Sequence, residues 1–354
     1  MKIGIIAPKP PWFNEGQPKV LREQLLRFKK KNKIEVYCCD PYKGNKKVVK
    51  WNKIKINVYK GFTNSYLFSN KLYKDIKNQE FDIIHSHGFT TFMPLVAAIL
   101  KKNTKKLIFQ PHYHSEGSTI LFKAFRKIYD PIIGNYILNK ADKIICVSEY
   151  EKNLLIKKNK KIKDKIRVIP NGVDIERFER AKPLKFQGKL ILYVGRLEKY
   201  KNIHKIIKTM KFLSEDFYLN IIGNGPYKEE LGKLINKLNL NNQVNILSGL
   251  SNTEVAREYK TCSIFITLSD IEAFGITVLE ALASGKPVIT NDTTALSEFV
   301  EKFKGAVKGV KVNKISAQHL AEIIKKQEGK KIKVNLEDYN WDKIAKRLEE
   351  CYKR

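Results

Sequence analysis

Residues 269–288 read S-D-I-E-A-F-G-I-T-V-L-E-A-L-A-S-G-K-P-V, and the fold turns on how they are parsed. They follow an apolar run, Ser263 to Leu268, with the length and content of a buried strand. A glycine-containing turn leads into Ile276 to Ala283, where apolar residues recur at helical spacing. Gly285 and Pro287 then stop the helix ahead of another strand, Pro287 to Thr290. Strand, short loop and helix start, in that order, are the repeating unit of a doubly wound parallel sheet. Its helix start offers unused N–H groups and a positive dipole end to anionic ligands. Glu272 stands in the loop before that anion site, and Glu280 lies on the helix on the side of Ile276. A carboxylate sits badly beside a phosphate but accepts well from sugar hydroxyls. The plainer reading of the same residues is a strand, loop and helix carrying two solvated carboxylates.

The order Glu272, one residue, Phe274-Gly275, four residues, Glu280, with Gly285 and Pro287 behind it, resembles the signature of the retaining glycosyltransferases of family 4, also called glycosyl transferases group 1. The resemblance implies α/β architecture of the GT-B kind: two Rossmann-like, doubly wound, parallel-sheet domains facing a cleft. It also implies sugar transfer from a nucleotide-diphosphate donor, without a metal ion.

Length and composition agree with two domains. The chain has 354 residues, of which 43% are hydrophobic, enough for buried cores. No apolar run approaches the roughly 20 residues of a membrane-spanning helix. Met1 to Pro8 reads as a first strand and is too short an apolar stretch for a signal peptide. Five cysteines are scattered with no C-x-x-C pair, which points to a reduced, cytoplasmic setting. The net charge is +32. Lysines are spread along the chain and arginine is scarce, so a lysine-rich proteome with solvated faces comes first among explanations. An anionic membrane surface comes second, and nucleic acid a distant third.

From the N-terminus, residues 2–7 read as a buried parallel strand, and Pro8, Pro10 and Pro11 force a loop to Gly16. This is not a dinucleotide fingerprint, because Gly16 stands without further glycines. The family often has a glycine pair here, near the donor phosphates; in this chain the pair position reads Glu15-Gly16. Strands are expected at Glu35–Cys38, Ile54–Tyr59, Asp82–His85, Lys106–Gln110 and Lys143–Val147, with helical segments between most of them. The stripe Phe122, Phe125, Tyr129, Ile132, Ile133, Tyr136, with Lys123, Arg126 and Lys127, is first the core face of a helix and second a lipid-facing surface. His85 and His87, then His112 and His114, form two pairs at strand ends. Zinc is disfavoured, since no carboxylate or cysteine accompanies them at ligand spacing. The segment 109–114, F-Q-P-H-Y-H, resembles the family segment whose histidine approaches the donor sugar; His112 matches best and His114 is the alternative. Ser148 is a good helix N-cap.

The turn Pro170-Asn171-Gly172 marks the crossing between domains. The domains are expected at 1–170, the acceptor side, with a C-terminal helix 340–354 crossing back onto it, and at 171–339, the nucleotide-sugar side. In L-I-L-Y-V-G-R-L-E-K-Y-K-N (190–202), Arg196 and Lys201 stand at a strand-to-helix junction. Two cations with a helix start would hold a diphosphate, and the matching family residues bind the nucleotide phosphates. A surface-cation reading stands beside it, and Lys199 is a competing lysine. Gly223-Asn224-Gly225 is a turn whose place matches the family segment near the base.

The resemblance therefore assigns Arg196, Lys201, Phe274, Gly275, Ile276, Thr277, Glu280 and Gly16 to the donor, and His112 and Glu272 to the transferred sugar. No cofactor is implied; the donor, a UDP-sugar by preference, is a substrate. No Asp-x-Asp motif occurs, in keeping with a metal-independent route. The acceptor is a hydroxyl, lipid-linked or otherwise membrane-associated, reached from the cytoplasmic face of the cell membrane. The competing readings are a nucleotide-sugar epimerase of the same fold, a nicotinamide enzyme and a nucleic-acid-binding protein.

Overall fold

The computed structural model describes residues 1–13, 16–29, 31–40, 47–61, 69–114 and 120–353, with only the backbone for 120–123. Glu15 and the side chains of Phe122 and Lys123 thus lie outside the described residues. The chain divides into two compact units, Met1–Asn171 with Trp341–Arg354, and Gly172–Asn340.

The first unit is built on eight strands: β1 (Lys2–Ala7), β2 (Lys33–Asp40), β3 (Lys47–Trp51), β4 (Ile54–Lys60), β5 (Phe81–His87), β6 (Thr104–Gln110), β7 (Lys143–Cys146) and β8 (Ile166–Val168). Their order is β3-β4-β2-β1-β5-β6-β7-β8. All neighbours are parallel except β3 and β4. Near-continuous apolar runs such as Ile3–Ile6 are buried, as a sheet covered on both faces requires. β4 lies where the sequence places a strand, while β3, its antiparallel partner, is not announced by the sequence pattern. β3 is short, mostly exposed and carries lysines, which suits an edge strand. Its two-residue turn places Asn52 and Lys53 at φ 48° and 68°, both in the left-handed region.

The segment after β6 is a helix, Ile120–Tyr129, a π-helical turn, Asp130–Gly134, and a second helix, Asn135–Lys140. It serves two faces. Tyr129, Ile137 and Leu138 enter the core, while Ile128, Ile132 and Tyr136 are 68%, 65% and 40% exposed. Spacings of four put these last three in one row. The C-terminal helix, Trp341–Lys353, buries Trp341, Ile344, Ala345, Leu348 and Tyr352 in the first unit. Tyr352 packs on Phe28 with ring centroids 5.4 Å apart, and Arg27 meets Asp342 at 2.8 Å.

The second unit has six strands: β9 (Lys189–Val194), β10 (Phe217–Ile222), β11 (Val244–Leu247), β12 (Ile264–Thr267), β13 (Val288–Asn291) and β14 (Val307–Val310). Their order is β11-β10-β9-β12-β13-β14, with every pair parallel. Chain order runs outward in one direction from β9 and in the other from β12. The switch point therefore lies between β9 and β12, and ligands of such sheets bind outside the carboxyl ends of the strands at that point.

Candidate active site

The loops that leave β9 and β12 meet at the switch point. Asp270 donates its amide to the Tyr200 carbonyl at 2.9 Å. Asn202, held at φ 56°, donates its side-chain amide to the Leu268 carbonyl at 2.9 Å. That left-handed residue ends the short turn Lys199–Lys201 and opens the helix Ile203–Met210. Gly223 and Gly225 explain themselves sterically: a Cβ at Gly223 would lie 1.9 Å from the Gly195 carbonyl oxygen, and one at Gly225 2.4 Å from that of Leu197. The glycines let the loop after β10 lie on the loop after β9.

This scaffold brings Lys201 against Glu272, the ammonium hydrogen-bonded to Oε1. Both side chains are mostly buried, at 13% and 23% exposure. Burial disfavours the Lys201 cation, but the Glu272 carboxylate outweighs it and raises the ammonium pKa. Arg196 stands more open, 56% exposed, with Nη2 2.9 Å from Glu198 Oε1.

Gly275 precedes the helix Ile276–Ala283 at φ 109°, which favours glycine; a Cβ there would also meet Leu296 Cδ2 at 2.8 Å. The amides of Ile276 and Thr277 belong to the first turn, whose N–H groups the helix cannot use itself. Glu280, on the second turn, is 3% exposed and accepts from the Tyr259 hydroxyl at 3.0 Å. Tyr259 was not legible as part of the site; it comes from the helix Asn252–Thr261 and no motif marks it. Phe274 turns its ring inward, 5.3 Å from Phe299 and 6.3 Å from Tyr339 by centroids. Its side chain anchors the loop in an aromatic core, which leaves only its backbone to face a ligand.

In the first unit the histidines gather. His85 and His87, two residues apart on β5, share one face of the strand and stack with centroids 4.4 Å apart. His112, beyond the end of β6, stacks on His87 at 5.7 Å, with Nε2 3.5 Å from His87 Nδ1. His85 Nδ1 lies 2.7 Å from the Tyr352 hydroxyl. Burial keeps all three imidazoles neutral: His85 is lowered to about 3, His87 well below its usual value and His112 to about 4. His112 sits at φ 51°, a left-handed conformation uncommon outside glycine and enriched at functional sites. His114 offers its carbonyl to Arg126 Nη1 at 2.6 Å. Among the described residues no group of three or more His, Cys, Asp or Glu is placed to hold a metal ion. Gly16, the first residue of the helix Gly16–Phe28, has open space where a Cβ would stand, so local packing does not demand glycine there.

Two family matches divide the chain between them. Glycosyl transferases group 1 matches residues 174–351, and Glycosyltransferase Family 4 matches residues 15–177. The chain belongs to the glycosyl transferases group 1. It is an α/β protein of two Rossmann-like domains and a glycosyltransferase enzyme. An uncharacterized glycosyltransferase of Methanocaldococcus jannaschii is 28% identical over 343 residues, covering 93% of this chain and 92% of the relative. An alpha-monoglucosyldiacylglycerol synthase of Streptococcus pneumoniae is 27% identical, over 70% of this chain and 59% of the relative. Among solved structures, sucrose-phosphate synthase from Thermosynechococcus elongatus superposes with TM-score 0.79 at 18% identity, covering 100% of this chain and 98% of that one. Anabaena HepE in complex with UDP and glucose superposes with TM-score 0.72 at 17% identity, covering 100% and 97%. These two likenesses show the GT-B fold.

Proposed function

We propose that this glycosyltransferase moves a sugar from a nucleoside diphosphate sugar, with UDP as the preferred nucleotide, to a hydroxyl group, with retention of anomeric configuration and without a metal ion. One observation carries the reading: Lys201, Glu272, Gly275 and Glu280 sit on the two loops and the helix start at the switch point of the second unit. A departing diphosphate gains negative charge, and prearranged cations and amides stabilise such charge best. Lys201, Arg196 and the amides of Ile276 and Thr277 fill that role. Glu280 accepts from the ribose hydroxyls, Glu272 from the sugar, and His112 contacts the transferred sugar. A buried, neutral imidazole suits that contact, because it brings no cation to a centre that becomes positive. The likeness to the HepE complex with UDP and glucose supports UDP.

For the acceptor the reading is a lipid-linked or other membrane-associated hydroxyl, met at the cytoplasmic face. The exposed row Ile128, Ile132, Tyr136, flanked by exposed Lys127 and Lys140, has the make-up of a surface that rests on an anionic bilayer. The net charge of +32 favours the same partner. The relative named as a monoglucosyldiacylglycerol synthase is consistent with it. Among the described residues no helix is long and apolar enough to cross a membrane.

The test is a thermal-shift panel of UDP, GDP, ADP and NAD with their common sugar conjugates, on wild type, Glu280→Ala and Arg196→Ala. Ligands that bind only the folded state raise Tm. A rise with one nucleoside diphosphate, lost in both variants, supports the site. A rise with NAD alone, or none at all, overturns it. Flotation with neutral and anionic vesicles tests the acceptor side, where equal failure with both removes the membrane contact.

A further inference from the structure

Glu151 is wholly buried, yet it is the third residue of a helix, Glu149–Lys158, where glutamates usually face water. Ser148 caps that helix by accepting the Glu151 amide at 3.1 Å. In a capping box the glutamate returns to the N–H of the cap residue. Here it goes elsewhere. Oε2 accepts from the Val147 amide at 2.6 Å, and Oε1 accepts from the Tyr113 amide at 2.5 Å. One carboxylate thereby ties the chain leaving β7 to the chain leaving β6, 38 residues apart in sequence. Tyr113 directly follows His112, whose φ of 51° needs support from its surroundings.

The neighbouring bonds show what that support does. On the near side of His112, Pro111 accepts from the Phe89 amide at 2.8 Å and Gln110 from the Gly88 amide at 3.1 Å. On the far side the Tyr113 hydroxyl reaches Asp130 at 3.0 Å, and the ring meets Phe89 edge to face at 4.7 Å. Those contacts hold Tyr113 by its side chain. Among the described residues Glu151 is the one group shown to hold the Tyr113 amide, the group that fixes the peptide between His112 and Tyr113. Helix capping does not explain the burial, since Ser148 already caps. Burial pushes the Glu151 carboxyl up to about 8 against the pull of its two amide bonds.

We infer that Glu151 is the positioning residue for His112: by holding the Tyr113 amide it sets the direction of the imidazole toward the sugar. The inference rests on His112 being the sugar contact, and the test separates the two.

The full-length protein is assayed for nucleoside diphosphate release from UDP-glucose, GDP-glucose and ADP-glucose, with water or an added diacylglycerol hydroxyl taking the glucosyl group, and for UDP affinity by calorimetry. The variants are His112→Ala, Glu151→Gln and Glu151→Asp, each measured at a temperature where it is fully folded. Glutamine keeps one acceptor and sets an N–H₂ group against the other amide; aspartate keeps the carboxyl group but falls one methylene short. The expected result is unchanged UDP affinity in Glu151→Gln, with release slowed on the order of 10²-fold, the cost of a misplaced contact. Glu151→Asp falls between, and amide exchange of the 109–114 peptide quickens in both. If Glu151→Gln does not fold, Glu151→Asp is read by the same criterion. Loss of turnover in His112→Ala but not in the Glu151 variants overturns the positioning role and leaves His112 as the sugar contact. Full turnover in His112→Ala overturns both. Loss of UDP affinity in step with turnover makes Glu151 a structural residue only. No release from any of the three donors by wild type overturns the donor reading and the inference with it.

Discussion

Lys201 and Glu272, 71 residues apart, close a hydrogen-bonded ion pair across the loops that leave β9 and β12. Neither side chain is exposed enough for water to replace its partner. Removing one member leaves a buried charge unpaired, which costs about 3 kcal/mol. Glu272→Gln is therefore expected to lower the melting temperature of the second unit by about 6–12 °C. Lys201→Met loses a similar amount. The double variant loses clearly less than the sum, because no charge is then stranded. Strict additivity in calorimetry would show that the pair is not coupled.

Glu280 and Tyr259 form another buried link of this unit, at 3.0 Å. Tyr259 also packs edge to face on Phe178, with centroids 5.5 Å apart, so its ring stays in place without the hydroxyl. Tyr259→Phe then removes the hydrogen bond to the buried Glu280 carboxylate together with the longer contact to the Thr277 carbonyl at 3.4 Å, worth about 2 kcal/mol. The expected change is a lower urea midpoint with an unchanged m-value. A midpoint equal to that of wild type would mean that other donors satisfy Glu280.

The contrast between these two pairs marks what the sequence discloses. The loop Glu272–Gly275 and its helix are legible because a glycine turn, helical spacing and a Gly-x-Pro stop lie within twenty residues. Lys201 is legible as a cation at a helix start, but its salt bridge depends on β9 and β12 becoming neighbours, which no local pattern states. Phe274 reads as a ligand contact by position, and only the folded chain shows Phe299 and Tyr339 taking its ring. The histidine spacing places His85 and His87 on one face of a strand, while the stacking of His112 on them depends on the left-handed backbone at 112. Ser148-x-x-Glu151 does carry a local signal, that of a capping box; the carboxylate's second bond, to Tyr113, is the part that no spacing foretells.

Two glycines in the second unit separate close approach from mere tolerance. Gly223→Ala drives a Cβ to 1.9 Å from the Gly195 carbonyl oxygen, so one loop must move. The expected loss is about 3 kcal/mol. Gly232 lies inside the helix Lys228–Lys237, with nothing within 4 Å of a Cβ. Gly232→Ala is expected to stabilise by about 0.5–1 kcal/mol, by reducing backbone freedom in the unfolded chain and improving helix propensity. Opposite shifts in Tm check both; a neutral Gly223→Ala would mean that the contact between the loops after β9 and β10 is loose.

The three stacked imidazoles give the first unit an acid limb. In the unfolded chain a histidine titrates near 6.5. In the folded unit His85 titrates at about 3, His112 at about 4 and His87 well below its usual value, all through burial. Below pH 6.5 the unfolded state therefore binds more protons than the folded state, and stability falls as pH falls. The stabilisation from keeping these rings neutral is fully present above 6.5, is lost as pH drops from 6.5 toward the folded values, and levels off below them. Each ring contributes about 1.4 kcal/mol per pH unit inside that window. Tm measured from pH 7.5 to 5 is expected to decline, and His87→Gln, which removes one titrating ring from the stack, is expected to flatten the decline. A decline of equal slope in His87→Gln would place its origin in the carboxylates instead.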